Sequence, residues 1–218
     1  MNRQHGCVAG SVLIAFLLIG HATAGELSVL VTDERLAPVA DAVVSVRGGS
    51  DISTASAAPV TKTIDQRRET FVPYVEVFRP GDQVAFHNSD HTRHHVYSFA
   101  SSKSFEFVVA SGRTSPSVTL DQPGEIDVGC NIHDRMITHL YVSDAPYVAK
   151  SGADGRVSFE GLADGAYSVQ VWHPQFRPGK AEPPQAITLG AGLASLTISV
   201  NLLADPRAGS HDPERSQY

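Results

Sequence analysis

Three residues in the second half of the chain have the types and spacing to bind one metal ion. Cys130, His133 and Met136 lie two intervening residues apart in the segment GEIDVGCNIHDRM. They offer a thiolate, an imidazole and a thioether, and soft sulfur ligands combined with imidazole select copper. A trigonal set of two histidines and one cysteine with a weak axial methionine describes a blue electron-transfer site. The spacing therefore predicts a copper site that needs one more histidine.

The additional histidine is available in the upstream segment HNSDHTRHHVYSF, at the start of a predicted strand. Because neighbouring side chains on a strand point to opposite faces, only one of the adjacent residues His94 and His95 can readily bind the ion. We expect His87 and His91, which flank the preceding turn, to face solvent.

The first 24 residues are predicted to be an export signal. An early Arg3 is followed by the apolar run VAGSVLIAFLLIG and by the small residues Ala22-Thr23-Ala24. The run is shorter than the roughly 20 residues that span a bilayer. Cleavage after Ala24 places the protein in the periplasm or outside the cell.

Cleavage also removes Cys7 and leaves Cys130 as the only cysteine. Thiols in an oxidising compartment usually pair, so an unpaired cysteine there needs a reason to stay free, and metal binding supplies one.

Charge and motif content exclude several classes of function. Without the signal, 16 basic residues stand against 23 acidic ones, a net charge of −7. Nucleic acid and anionic membranes both require a positive surface, so neither is an expected partner. No second apolar stretch is long enough to span a membrane after cleavage. No Ser-His-Asp arrangement, phosphate loop or paired-carboxylate cleft is indicated by spacing, so we do not expect an enzyme.

Short runs of valine, threonine and aromatic residues, separated by Gly, Pro, Asp and Asn, predict an all-β protein of sandwich type. The runs LSVLVTD and ADAVVSV are expected to form a hairpin, and Asp154-Gly155 and Asp164-Gly165 to be further hairpin turns. The expected organisation is a signal, a first β-rich part with a linker, the metal-binding part, a last β-rich part and a disordered tail: residues 1–24, 25–60, 61–144, 145–203 and 204–218.

The segments GDQVAFHNSD, HHVYSF and GCNIHDRM resemble the plastocyanin, pseudoazurin and amicyanin family of cupredoxins. They are also similar to periplasmic plastocyanin-like proteins labelled methylamine utilisation proteins. The resemblance implies a cupredoxin-like Greek-key sandwich for residues 61–144 and one copper ion bound by His94, Cys130, His133 and Met136. It favours His94 because a polar residue and a valine follow it. His95 then takes the position of an asparagine that bonds to the cysteine loop.

Residues 25–60 and 145–203 resemble the two halves of a carboxypeptidase-regulatory-like sandwich. The metal-binding part would then be inserted into a second small β-sandwich. A simple tandem order of domains is the alternative, and the sequence leaves both open.

The expected function is that of a one-electron carrier, with electrons passing through the exposed edge of His133. Its partners would be periplasmic redox proteins such as a dehydrogenase or a c-type cytochrome, and the family label alone does not establish amine oxidation. The alternative is a copper-binding or delivery module without electron transfer. The additional histidines near the site, His87, His91 and His95, are consistent with this alternative.

Three further residues between the ligands have expected roles. Asn131 and Asp134 are predicted to fix the loop by hydrogen bonds that tune ligand orientation. Arg135 is predicted to raise the reduction potential or to help dock an acidic partner.

Overall fold

The computed structural model describes residues 25–48, 58–180 and 182–207. Every regular element in these ranges is a β-strand, which confirms the prediction of an all-β protein. The predicted export signal and residues 208–218 of the predicted tail lie outside the described residues. No helix that could cross a membrane is found in the described ranges. The strands are β1 (Gly25–Asp33), β2 (Val43–Gly48), β3 (Thr61–Gln66), β4 (Phe71–Val72), β5 (Val75–Phe78), β6 (Gln83–Asn88), β7 (His94–Ala100), β8 (Lys103–Val109), β9 (Val118–Thr119), β10 (Gly124–Cys130), β11 (His133–Val142), β12 (Tyr147–Lys150), β13 (Arg156–Leu162), β14 (Gly165–Trp172), β15 (Gln185–Leu189) and β16 (Leu193–Val200).

One sandwich combines strands from the two ends of the described chain. Its sheets have the strand orders β13-β1-β16 and β12-β2-β14-β15. Strand β1 runs antiparallel to β13 and parallel to β16. The valine, leucine and aromatic side chains of both sheets bury one shared core. Strands on both sides of β3–β11 therefore share two sheets, and the chain returns to this sandwich after forming another one.

The predicted hairpins in this sandwich are wrong. Strands β1 and β2 lie in opposite sheets, and so do the strands on either side of Asp154-Gly155 and Asp164-Gly165. The connection after β1 includes Leu36 and Asp41, both with left-handed backbone angles, and is too long for a two-residue hairpin turn. Alternating polarity locates the buried face of each strand, but it does not show which strand pairs with it.

Strands β3 to β11 form the other sandwich, with strand orders β5-β11-β10-β7-β8 and β4-β3-β6-β9. Strands β7 and β8 make a regular hairpin in which His94 is opposite Val109. The core between the sheets is rich in aromatic and branched side chains, among them Phe71, Phe86 and Leu140. Cys130 and Met136 belong to this same buried cluster, so the predicted sulfur ligands lie at its edge within protein rather than in solvent.

The two sandwiches are in contact through the outer face of β5 and β11. The rings of Tyr141 on β11 and Trp172 on β14 lie 4.8 Å apart between centroids. Lys150 on β12 donates a hydrogen bond to the carbonyl of Val75 on β5, at 2.7 Å. Val43 is fully buried in the same cluster. The face of β11 opposite the metal-binding core is thus covered by protein.

His173, just after β14, is a buried histidine with both ring nitrogens in use. Its Nε2 lies 3.2 Å from the carbonyl oxygen of Ala40, and its Nδ1 accepts a hydrogen bond from the backbone N–H of Gln175. Burial lowers the pKa of His173 to about 4. The folded protein therefore holds this ring neutral, whereas the unfolded chain protonates it below about pH 6.5.

We expect acid to destabilise the metal-free protein through His173. The His173 ring binds a proton in the unfolded state but stays neutral in the folded state. The free energy of unfolding therefore falls by about 2 kcal/mol between pH 7 and pH 5. The His173→Gln variant lacks this contribution, and denaturant titrations of both proteins measure the difference. Identical pH dependence in both proteins would contradict the expectation.

Candidate metal centre

Three potential ligand atoms converge at one end of the β3–β11 sandwich. The Cys130 sulfur lies 3.7 Å from Nδ1 of His94 and 3.7 Å from Nδ1 of His133. The donor atoms of the three residues all lie within 4.8 Å of one another. His94 and Cys130 are buried, and the side chain of His133 keeps 17% of its surface exposed.

Strand pairing brings the three residues together. Strand β10 ends at Cys130, which is opposite Val96 on β7 and opposite His133 at the start of β11. The backbone N–H of Asn131 donates to the carbonyl of His95 at 3.0 Å, so the short turn between β10 and β11 is bonded to β7. The site is therefore built on strand ends rather than on a long loop.

The separations among these atoms fit a single metal ion. Thiolate and imidazole ligands bind a first-row ion such as zinc at about 2.3 Å and about 2.0 Å. With these bond lengths, tetrahedral or trigonal angles place sulfur and nitrogen about 3.5 to 3.7 Å apart. The observed 3.7 Å for both sulfur–nitrogen pairs agrees with this range. Both sulfur–nitrogen separations therefore suit an ion bound between the thiolate and an imidazole, and the three donor atoms converge on one place.

Met136, the predicted thioether ligand, lies on a strand rather than in a loop. Strand β11 begins at His133 and includes Met136. The chain turns within Asn131 and Ile132 and resumes pairing at once. The Met136 side chain is fully buried in the same cluster as Cys130.

The adjacent histidines of β7 point to opposite faces, as expected. His94 is fully buried in the site, whereas His95 lies on the outer face, 2.7 Å from a carboxylate oxygen of Glu106. His87 contacts the hydroxyl of Thr114 at 2.9 Å, and His91 is exposed. Neither joins the group of three donor atoms.

Each histidine of the site has a carboxylate next to its second ring nitrogen. Nε2 of His94 lies 2.9 Å from Oδ2 of Asp90, and Nε2 of His133 lies 3.5 Å from Oε1 of Glu69. A carboxylate in this position fixes the tautomer and ring orientation of a metal-binding histidine and increases its basicity. With Nε2–H directed to the carboxylate, Nδ1 keeps its lone pair for the ion.

Neither Asp90 nor Glu69 is among the site residues predicted from the sequence. Asp90 lies four residues before His94, and a carboxylate so near a candidate ligand was an available signal. Glu69 lies far from both His94 and Cys130 in sequence, and only the folded chain shows its relation to His133.

The turn between β3 and β4 is organised around Asp90. Arg68 and Glu69 both have left-handed backbone angles, with φ values of 55° and 54°. Their backbone N–H groups both donate to the Asp90 carboxylate. Burial raises the pKa of Asp90, but hydrogen bonds from these N–H groups and from the His94 ring outweigh it and hold the pKa below its usual value.

The loop that carries Asp90 is held by Asn88, which is fully buried. Its side-chain oxygen accepts the N–H of Asp90 at 2.9 Å, and its amide donates to the carbonyls of Thr92 and Val109. Since Val109 is opposite His94, this one side chain fixes both the carboxylate and the strand that carries the ligand.

The other predicted residues near the site differ in their contacts. Asn131 bonds the turn to β7 through its backbone, and its side-chain nitrogen lies 3.5 Å from Nδ1 of His95. Asp134 is exposed and makes no hydrogen bond or ion pair with any residue that the structure describes, so its predicted role in fixing the loop is not observed. Arg135 is exposed as well.

Comparison with known proteins gives only partial similarities. No family model matches the chain, and no curated protein matches it. Among solved structures, a copper-containing nitrite reductase from Thermus scotoductus SA-01 is 24% identical over 39% of this chain and 22% of its own, with a TM-score of 0.36. A purple cupredoxin from Nitrosopumilus maritimus is 17% identical over 37% of this chain and 98% of its own, with a TM-score of 0.34.

A reduced tryptophan-to-tyrosine variant of amicyanin is 18% identical over 46% of this chain and 98% of its own, with a TM-score of 0.36. This chain therefore spans under a quarter of the nitrite reductase but nearly all of the two small proteins. At these values none of the three identifies the activity of this chain.

Proposed function

We propose that this protein is an exported one-electron carrier that holds one copper ion through His94, Cys130, His133 and Met136. The observation that carries the proposal is the position of the Cys130 sulfur, 3.7 Å from Nδ1 of each of two histidines. Cys130 is buried and unpaired, so its thiol is kept for a ligand rather than for a disulfide.

The chemistry of the donor set favours copper. A thiolate, two imidazoles and a thioether form a softer set than zinc requires, and they correspond to a trigonal site with a weak axial methionine. When bound, copper supplies a reversible one-electron couple between Cu(I) and Cu(II). Met136, which is fully buried in the same cluster as Cys130, would provide the thioether.

The residues around the site suit electron transfer because they resist movement. Strands β7, β10 and β11 each supply a ligand, and Asp90 holds the ring of His94 in one orientation. Ligands carried by rigid elements, with their outer nitrogens hydrogen-bonded, keep the same positions in both oxidation states. The cost of reorganising the site for each electron is therefore small.

The route for electrons is proposed to pass the edge of His133, the only partly exposed ligand of the four. Ile132, directly beside it, keeps 54% of its surface exposed. The proposed partners are exported redox proteins, a dehydrogenase or a c-type cytochrome. Location in the periplasm or outside the cell follows from the predicted export signal.

Copper delivery is the less favoured function. It would be supported by additional histidines that converge on the site, but the one group of three potential ligands among the described residues is His94, Cys130 and His133. His95 instead pairs with Glu106 on the outer face.

The first test is the spectrum of the copper-loaded protein. We expect Cu(II) to give an intense blue charge-transfer band and a narrow copper hyperfine splitting in electron paramagnetic resonance, because a thiolate binds in a trigonal plane. Cys130→Ser should lose both features. The volume-conserving Met136→Leu control should keep the thiolate band. A wild-type spectrum equal to that of Cys130→Ser would disprove the proposal.

The second test concerns the carboxylate behind His94. We expect Asp90→Asn to weaken Cu(I) binding by about 10- to 100-fold, because the amide orients the imidazole less firmly and makes it less basic. Competition against a chromophoric Cu(I) chelator measures the dissociation constant.

Asp127→Asn is the matched control for this experiment. Asp127 pairs with Nδ1 of His139 at 2.6 Å, so the variant also removes a carboxylate from a histidine, but from one outside the group of donor atoms. Equal copper affinity in the two variants would show that Asp90 does not act through His94.

A further inference from the structure

Five arginines lie at the end of the β3–β11 sandwich that carries the metal centre. We call them the arginine rim: Arg67, Arg68, Arg93, Arg113 and Arg135. All five are exposed, and within the described residues none of their side chains makes an ion pair or a hydrogen bond. Elsewhere in the described residues, Arg156 and Arg177 are also exposed without an ion pair, whereas five basic residues do form ion pairs: Arg47, Lys62, Lys103, Lys150 and Arg207.

The backbone places each member of the arginine rim near a ligand. Arg93 directly precedes His94, and Arg135 lies between His133 and Met136. The N–H of Arg68 bonds to Asp90, the partner of His94, and Arg67 precedes it.

Arg113 reaches the same end through a different loop. Its carbonyl accepts the N–H of Asn88, whose side chain holds the loop of Asp90 and the carbonyl of Val109. The arginine rim therefore comes from three connections, β3–β4, β6–β7 and β8–β9, and from the start of strand β11.

Carboxylates at this end are mostly turned toward internal partners. Asp90 accepts hydrogen bonds from two backbone N–H groups and contacts His94. Glu69 lies near His133. Asp65 accepts a hydrogen bond from the hydroxyl of Ser89. Asp134 is the one exposed carboxylate there without a partner among the described residues. Five exposed arginines without an ion pair among the described residues thus lie on the segments that build the site, in a chain whose formal net charge is −6.

One large apolar side chain is exposed among the ligands at this end. Ile132 lies between the two ligands Cys130 and His133 and is 54% exposed. An apolar centre with a charged border is the usual composition of a protein–protein contact surface, and arginine is enriched in such surfaces. Unpaired cations at the border direct diffusing partners of opposite charge.

We infer that the arginine rim docks the acidic surface of an exported redox protein, so that its centre comes to the edge of His133. The inference rests on the proposed function, since it assumes that an electron leaves the copper site at this end. In the transfer, bound Cu(I) is oxidised to Cu(II) and the partner's centre is reduced by the same electron. The negative net charge of the whole protein would instead favour a basic partner. The charge of the preferred partner therefore distinguishes control by the arginine rim from control by net charge.

The test uses the copper-loaded, reduced protein and two small oxidants of opposite charge. Stopped-flow absorbance measures oxidation by hexacyanoferrate(III) and by tris(phenanthroline)cobalt(III) as a function of ionic strength. If the arginine rim determines docking, the rate with the anion falls as salt is added, and the rate with the cation rises. The opposite pair of slopes would show that net charge controls the encounter and would overturn the inference.

Variants that remove arginine charges test whether the arginine rim causes the dependence of the oxidation rate on ionic strength. Arg93→Gln/Arg135→Gln should slow the anionic oxidant about twofold per charge at 0.1 M ionic strength and about fourfold per charge at 0.01 M. Arg67→Gln/Arg113→Gln should slow the anionic oxidant by the same factors, and it changes no residue that is adjacent to a ligand in the sequence. The control, Arg156→Gln/Arg177→Gln, removes two exposed arginines from the other sandwich. Equal slowing by the control would overturn the inference.

The preference for a protein partner is tested with one haem protein in two charge states. Native cytochrome c is basic, and its fully succinylated form is acidic. The succinylated form should react faster with the wild-type protein at low salt, and the two rim variants should lose this advantage. A faster reaction with native cytochrome c would overturn the inference.

These results are separable from failure of the proposed function. Each variant is first checked for the Cys130-dependent blue band and for reversible one-electron reduction. Absence of both in the wild-type protein would refute the copper carrier itself, whereas intact spectra with the wrong charge dependence would refute only the role of the arginine rim.

Discussion

The carboxylate of Asp90 joins the three segments on which the metal centre depends. It bonds to the ring of His94 and accepts hydrogen bonds from the turn between β3 and β4, while the backbone N–H of Asp90 donates to the side-chain oxygen of the buried Asn88. The same turn carries Glu69, whose carboxylate lies near His133. One partly buried carboxylate therefore sets the orientation of the first histidine directly and the surroundings of the second indirectly.

This arrangement explains why an unfavourable backbone conformation persists. Arg68 and Glu69 are consecutive non-glycine residues in the left-handed region, which costs roughly 1–2 kcal/mol for each. Hydrogen bonds to an ionised group contribute about 1.5–3 kcal/mol each, and Asp90 accepts one from each N–H. The two effects are of similar size, so the hydrogen bonds to Asp90 are sufficient to offset the cost of the turn.

Some of this organisation could be predicted from the sequence. Cys130 and His133 are separated by two residues, so local spacing alone places them near each other, and alternation along β7 directs His94 and His95 to opposite faces. The contact of Glu69 with His133 depends on a left-handed turn that no residue type signals, since neither Arg68 nor Glu69 is a glycine. The sheet partners of β1 and β2 were mispredicted for a related reason. Alternating polarity defines the face of a strand, whereas pairing depends on residues far away in the chain.

The second sandwich contributes to the metal centre through β11. This strand carries His133 and Met136 at one end, and Ile137 and Tyr141 on its outer face contact the neighbouring sandwich. Tyr141 packs against Trp172, and the backbone of the adjacent β5 is bonded by Lys150. A ligand strand covered on both faces has little freedom to shift when the charge of the site changes. The return of the chain to β12–β16 thus supports the same rigidity that Asp90 gives to β7, from the opposite side of the sheet.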